Sequence, residues 1–114
     1  MEELDELVVV HAGGDFDLLA VEPFAMEVDR AAGIAADSGT GVVIDLRGLS
    51  FIDSSGLRAI LDANARLAAR GLRVGVLKPP GRLWRVFAVT GADRLLPFDD
   101  ARAAQVGPPR HLGD

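Results

Sequence analysis

No cysteine occurs in the 114 residues. That removes disulfides, thiolate nucleophiles and cysteine-based metal sites together. Histidine appears only as His11 and His111, so a Ser-His-Asp triad lacks a credible base. His11 falls inside an apolar run, where it reads as a structural histidine on a sheet face. His111 falls in a polar C-terminal stretch expected to fray, which cannot hold catalytic geometry. The Gly-x-Ser-x-Gly elbow is missing, and so is the Gly-x-x-x-x-Gly-Lys-Ser/Thr phosphate loop. Gly39 and Gly41 precede a strand rather than follow one, so they make no dinucleotide fingerprint. No apolar run approaches the ~18 residues that a membrane helix needs. The opening residues, Met1-Glu2-Glu3-Leu4-Asp5-Glu6, are acidic where a secretory signal is basic. Lysine is almost absent too: arginine supplies every basic residue but Lys78, a bias with no chemistry attached. Twelve basic against seventeen acidic residues leave a net charge of −5, which argues against the clustered basic face of a nucleic-acid binder. The expectation is a cytoplasmic, soluble, non-enzymatic protein with no metal, no cofactor, no nucleic acid and no direct membrane insertion.

What is present suits one α/β domain spanning residues 1–114, with a core over about 7–105 and a flexible tail over 106–114. Hydrophobic residues make up 49% of the chain, and a chain of this length buries roughly 65% of its unfolded surface without staples. Leu7 to Ala12 reads as a first strand, turned by Gly13-Gly14. Asp15 and Asp17 flank Phe16 and lead into a helix over Ala20–Ala36, with Pro23 in its first turn. Its apolar side is Val21, Phe24, Ala25, Val28, Ala31 and Ala32. As a Mg2+ site the Asp15–Asp17 pair has little to recommend it, because receiver-type acidic clusters need a partner lysine and Lys78 comes in a poor order. Leu72 to Leu77 is a further strand, broken by Pro79-Pro80-Gly81. Arg82 to Val89 is a helix with Leu83, Val86, Phe87 and Val89 inward, and Trp84 on another side as a half-buried edge residue. A short last strand over Leu95–Phe98 and a short helix over Ala101–Gln105, capped by Asp99, complete the pattern. Asp100 beside that cap reads as solvated.

The run from Val42 to Gly71 organises the rest. Val42 to Leu46 is apolar except for Asp45, as a strand covered on both faces should be. Asp45 near its end reads as a hydrogen-bonded carboxylate beneath the following turn. From Leu57 the apolar residues Ile60, Leu61, Leu67 and Ala68 recur at helical spacing, and Gly71 ends the helix in a left-handed turn. At the helix start lie Asp53-Ser54-Ser55-Gly56, where short polar side chains satisfy the unpartnered N–H groups of the first turn. Any strand-to-helix junction favours the same residue types, so the spacing alone leaves both capping and function open.

That turn, Asp53-Ser54-Ser55-Gly56-Leu57 after a strand, closely resembles the signature of the STAS domain, and most of all the bacterial anti-sigma factor antagonists. Gly14-Asp15-Phe16-Asp17 resembles the element opening that family's first helix. Val89-Thr90-Gly91-Ala92, with Leu95–Phe98 and Asp99-Asp100-Ala101, resembles its C-terminal section. The resemblance covers about Val8 to Ala104. It implies a four- to five-stranded, mixed and mostly parallel sheet with about four helices packed mainly on one side. It implies that Ser55 is phosphorylated by an anti-sigma factor serine/threonine kinase and reset by a serine phosphatase, so that a sigma factor is released by partner switching. Asp53, Ser54, Gly56, Leu57 and Arg58 then form the partner-binding rim, on a monomer or weak dimer. Two other roles within the family stand beside this one: an accessory STAS subunit of a membrane transport ATPase complex, and a small-molecule or nucleotide sensor.

Overall fold

The computed structural model describes residues 1–4 and 7–109. The last five residues, with His111, lie outside the described residues, as does that part of the expected tail. Four strands make the main sheet: β1 (Glu2–Leu4), β2 (Leu7–His11), β4 (Gly41–Asp45) and β6 (Val74–Leu77), in the order β1-β2-β4-β6. β1 runs antiparallel to β2, whereas β2, β4 and β6 run parallel. Parallel neighbours need long crossovers, and two helices, α1 (Leu18–Ser38) and α2 (Ser54–Ala69), supply them.

The register explains why the strands are apolar without alternation. Val8, Val10, Val42, Ile44 and Val76 face one side and join the large core with Phe24, Val28, Ala31, Ile60 and Leu67 of α1 and α2. Leu7, Val9, Val43 and Leu77 face the other side, where Val106 and Ala103 cover them. Those two belong to α5 (Ala103–Val106), which follows a 3-10 turn over Asp100–Arg102. Helices therefore pack mainly on one face, and the C-terminal turn of helix closes the second. Val106 is buried there, so the packed core continues one residue past 105. Each fully buried Ile, Leu or Phe of this core is worth ~1.5–3 kcal/mol relative to exposure.

Several boundaries differ from the expectation, each for a local reason. α1 starts at Leu18 because the Asp17 side chain accepts a hydrogen bond from the Leu19 N–H at 3.1 Å and caps the helix there. Pro23 consequently lies inside the helix rather than in its first turn, leaving the Leu19 carbonyl without its helical N–H. The buried stripe of α2 is Leu57, Ala59, Ile60, Ala63 and Leu67, while Ala68 is exposed. After α2, Gly71 adopts φ 76° as expected. In α3 (Gly81–Thr90) Val89 is 76% exposed, two residues round from the buried Phe87. Trp84 is half-buried against Phe87 and Phe98, with the Lys78 ammonium 4.9 Å from its ring centre. The expected strand over Leu95–Phe98 reduces to one bridge between Phe98 and Val76, because α4 (Ala92–Leu95) takes its start and Pro97 has no N–H to extend a ladder.

The largest departure lies just before α2. Instead of a bare loop, β5 (Leu49–Ile52) pairs in parallel with β3 (Gly14–Phe16) as a separate two-stranded sheet. This small sheet positions the site.

Candidate functional site

The α2 N-terminus rests on the β3–β5 sheet by way of glycine. The Asp53 N–H donates to the Phe16 carbonyl at 3.3 Å, tying the end of β5 to the end of β3. Asp53 has extended backbone angles, and its Oδ1 accepts from the Gly56 N–H at 2.9 Å, while its carbonyl accepts from the Leu57 N–H at 3.0 Å. It is thus the N-cap residue, satisfying a first-turn donor that has no partner within the helix. A Cβ at Gly56 would lie 2.0 Å from the Phe16 carbonyl oxygen and 2.9 Å from its ring. Only glycine lets the helix sit this close to β3.

On that base Ser54 and Ser55 are the first two residues of α2. Ser54 is exposed and Ser55 is half-buried. Among the described residues neither hydroxyl makes a hydrogen bond, so capping falls to Asp53 alone. Arg58, one turn on, is exposed, and with Ser54, Ser55, Leu57, Leu61 and Asp62 it lines a shallow open depression. Gly56 and Leu57 are buried. They shape the turn from beneath, and the outward-facing part of the expected rim is Ser54, Ser55 and Arg58 with the half-buried Asp53. The helix N-terminus carries a partial positive charge and favours an anion here.

Two features round the turn lie outside the sequence motifs. Leu18 and Leu19, at the start of α1, and Phe51, on β5, are 68%, 85% and 49% exposed. Phe51 lies two residues before Asp53, and Leu18 and Leu19 follow two and three residues after Phe16, whose carbonyl accepts from the Asp53 N–H. Arg82 of α3 donates to the Ser50 and Leu49 carbonyls at 2.7 and 3.5 Å, covering the outer edge of β5. The run of apolar residues at Leu18-Leu19 was visible in the sequence; the arginine bridge, 32 residues away in the chain, was not.

Beneath the loop that leads to β5, Asp45 is 1% exposed. Its Oδ1 accepts from the Arg47 N–H and Nε at 3.0 and 2.9 Å, and its Oδ2 from Arg47 Nη2 at 3.0 Å. His11 Nδ1 lies 3.2 Å from Oδ2. Burial pushes this carboxyl up, but the hydrogen bonds from His11 and Arg47, with Arg47's charge, outweigh it and hold the group well below the usual carboxylate range. Both His11 and Asp45 are therefore structural: they lock the 46–48 loop from which β5 departs. Asp17 caps α1 and Asp15 is exposed. Among the described residues no cluster of three His, Asp or Glu side chains is arranged to hold a metal ion, and no helix is long and apolar enough to cross a membrane.

A family model described as "Mlab, STAS domain" matches residues 1–97. The chain belongs to the STAS domain family. An anti-sigma F factor antagonist of Lysinibacillus sphaericus is 34% identical over 86 residues, which cover 75% of this chain and 72% of that protein. Among solved STAS structures, the anti-sigma factor antagonist SpoIIAA in its unphosphorylated form superposes with a TM-score of 0.67 at 24% identity, covering 96% of each chain. The phosphorylated form of the Bacillus SpoIIAA superposes with a TM-score of 0.64 at 25% identity, covering 94% of this chain and 96% of that one. The STAS domain of a Vibrio cholerae SulP transporter shares the fold, with a TM-score of 0.61 at 15% identity over 92% of this chain and 87% of that domain.

Proposed function

We propose that this STAS domain is an anti-sigma factor antagonist whose binding to an anti-sigma factor kinase is switched by phosphorylation of Ser55. The observation that carries the reading is Ser55 itself: an untied hydroxyl, half-exposed, in the first turn of a helix held rigidly against β3 by Gly56. Unphosphorylated, the domain binds the kinase in the cytoplasm and so releases the sigma factor; a separate phosphatase resets it. Catalysis belongs to those partners, and this chain supplies the acceptor and the docking surface.

The physical reasoning has two halves. A phosphate adds about −1.5 to −2 charges. In the free domain the α2 N-terminus accepts it, and Arg58, three residues on, lies on the same helix face as Ser55. A partner packed over the turn instead has to desolvate that charge beside Asp53 and Asp62. Stranding a buried charge costs ~3–5 kcal/mol, and taking a complex from 99% to 1% bound needs about 5.5 kcal/mol of differential affinity. One phosphate is of the right size. Leu18, Leu19 and Phe51 supply the apolar contact area around this centre, the usual composition of a docking surface with a sensitive core.

Intact-mass analysis after incubation with the cognate kinase and ATP tests the assignment. Wild type should gain one phosphate, Ser54→Ala should remain a substrate, and Ser55→Ala should bind the kinase without being modified. Phosphate appearing on Ser55→Ala at the wild-type rate would overturn the choice of residue. A domain that serves a transport ATPase would show no Ser55-dependent change in either assay.

A further inference from the structure

The serine turn lies beyond the ends of β2 and β4. At the opposite pole, where β4 and β6 begin, a cleft of about 620 Å3 is lined by Gly39, Thr40, Arg73, Asp99, Arg102 and Gln105. Its charge runs against that of the whole chain: two guanidinium groups face one carboxylate, in a protein of net charge −5.

Two glycines let neighbouring groups approach closely here. A Cβ at Gly75, in β6, would meet the Arg102 side chain at Cδ 3.2 Å and Nε 3.4 Å, so Arg102 crosses the strand where a side chain is missing. A Cβ at Gly41, the first residue of β4, would meet the Arg73 carbonyl oxygen at 3.0 Å and its Cβ at 3.3 Å. Asp99 then orients one of the two. Its Oδ2 accepts from Arg102 Nε at 3.2 Å and its Oδ1 from the Ala101 N–H at 3.2 Å. Both carboxylate oxygens are thereby engaged, and among the described residues the two terminal amino groups of Arg102 have no acceptor. Among the described residues the Arg73 guanidinium, which is exposed, has no hydrogen-bond or ion-pair partner.

We propose that this cleft binds the phosphate group of a small molecule, with Arg102 and Arg73 as its charged donors. The planar fork of a guanidinium matches two phosphate oxygens at once, which a lysine does not. Arg102, held through Nε alone, presents the remaining edge of its fork. The volume leaves room for an organic moiety beyond the phosphate. Occupancy joins Arg73, in the α2–β6 connection, to Arg102, in the turn before α5. A ligand here therefore fastens the helix that covers the second face of the sheet. The proposal does not depend on the role of Ser55.

The test is a 15N NMR titration of the intact chain with inorganic phosphate and with β-glycerophosphate, against sodium chloride at matched ionic strength. The expected result is saturable shifts at the Thr40 amide and at the Arg73 and Arg102 Nε groups with at least one phosphate compound. Arg73→Ala, an exposed change that leaves the fold intact, should weaken binding about tenfold, as loss of a charge-assisted pair does. Arg102→Lys, which keeps the charge and loses the fork, should weaken it as well, and Ser55→Ala should bind normally. Tighter binding of the ester assigns the site to phosphomonoesters, and equal or tighter binding of inorganic phosphate assigns it to the free ion. Shifts that chloride reproduces, that fail to saturate, or that survive Arg73→Ala unchanged overturn the proposal.

Discussion

Replacing Gly56 by alanine puts the junction beneath Ser55 under a defined load. The added methyl would sit 2.0 Å from the Phe16 carbonyl oxygen, with the Phe16 carbonyl carbon and ring both at 2.9 Å. Backbone cannot swing aside like the end of a flexible side chain, so α2 and β3 have to separate. Overpacking of this kind costs ~1–3 kcal/mol. Separation also breaks the Asp53-to-Phe16 backbone bond and strains the Asp53 cap on Gly56, at about 1 kcal/mol each. Against this, alanine restricts the unfolded chain and returns ~0.4–1 kcal/mol. The net is a loss of roughly 2–4 kcal/mol, or a melting temperature lower by about 8–16 °C for a domain of this size. Gly33→Ala is the matched control. It lies within α1 with no atom near the added methyl, so the same substitution should stabilise by ~0.5–1 kcal/mol. Urea unfolding followed by circular dichroism compares the two. A Gly56→Ala protein within ~1 kcal/mol of wild type would mean that the contact with Phe16 does not position the serine turn.

Ser55→Glu should unfold within ~0.3–1 kcal/mol of wild type, because a carboxylate suits a helix N-terminus; a collapse in stability would make the hydroxyl a structural group. Asp53→Ala should cost ~1 kcal/mol through loss of the cap, while slowing phosphorylation of Ser55 by more than that loss explains; normal kinetics would leave Asp53 a cap and nothing else. Asp45→Asn should cost roughly 3 kcal/mol at neutral pH by stranding Arg47 beside His11. The folded carboxyl titrates below its unfolded value, so its stabilisation is complete above about pH 4 and shrinks as the pH falls further. The gap in unfolding free energy between wild type and Asp45→Asn should therefore narrow between about pH 4 and pH 2, and a gap that widened on acidification would contradict the ion-pair geometry.

The strands and helices around the site were legible because their patterns are local and long. Val42 to Leu46 showed burial on both faces, Leu57 to Leu67 repeated at helical spacing, and Asp53 stood where an N-cap belongs. The β3–β5 sheet was not legible. Its strands have three and four residues, too few for a period, and they pair across more than thirty residues of intervening chain. The start of α1 was obscured because Leu18 and Leu19 are apolar yet exposed, contrary to the amphipathic rule. At the site itself, the residue types of the turn were readable, but the reason for Gly56 was not. It lies in an approach to Phe16 that exists only once β3 has paired. The Arg47 partner of Asp45 was likewise hidden, since two residues apart in sequence says nothing of a carboxylate turned inward.

The C-terminal stretch has a consequence for which sheet edge is open to another strand. A parallel sheet ends in rows of unpaired amides and carbonyls that invite a stranger's strand. Here the outer row of β6 is covered at Val76: its N–H donates to the Pro97 carbonyl, and the Asp99 N–H donates to the Val76 carbonyl, at 3.0 Å each. Pro97 accepts a bond and has none to give, so the seal ends with itself. The other border, β1, has only three residues, and Glu2 and Glu3 are two of them. Loss of the chain from Leu96 onward would bare β6 together with the apolar face under Val106. Such a fragment should keep much of the main core and yet aggregate by pairing edge to edge.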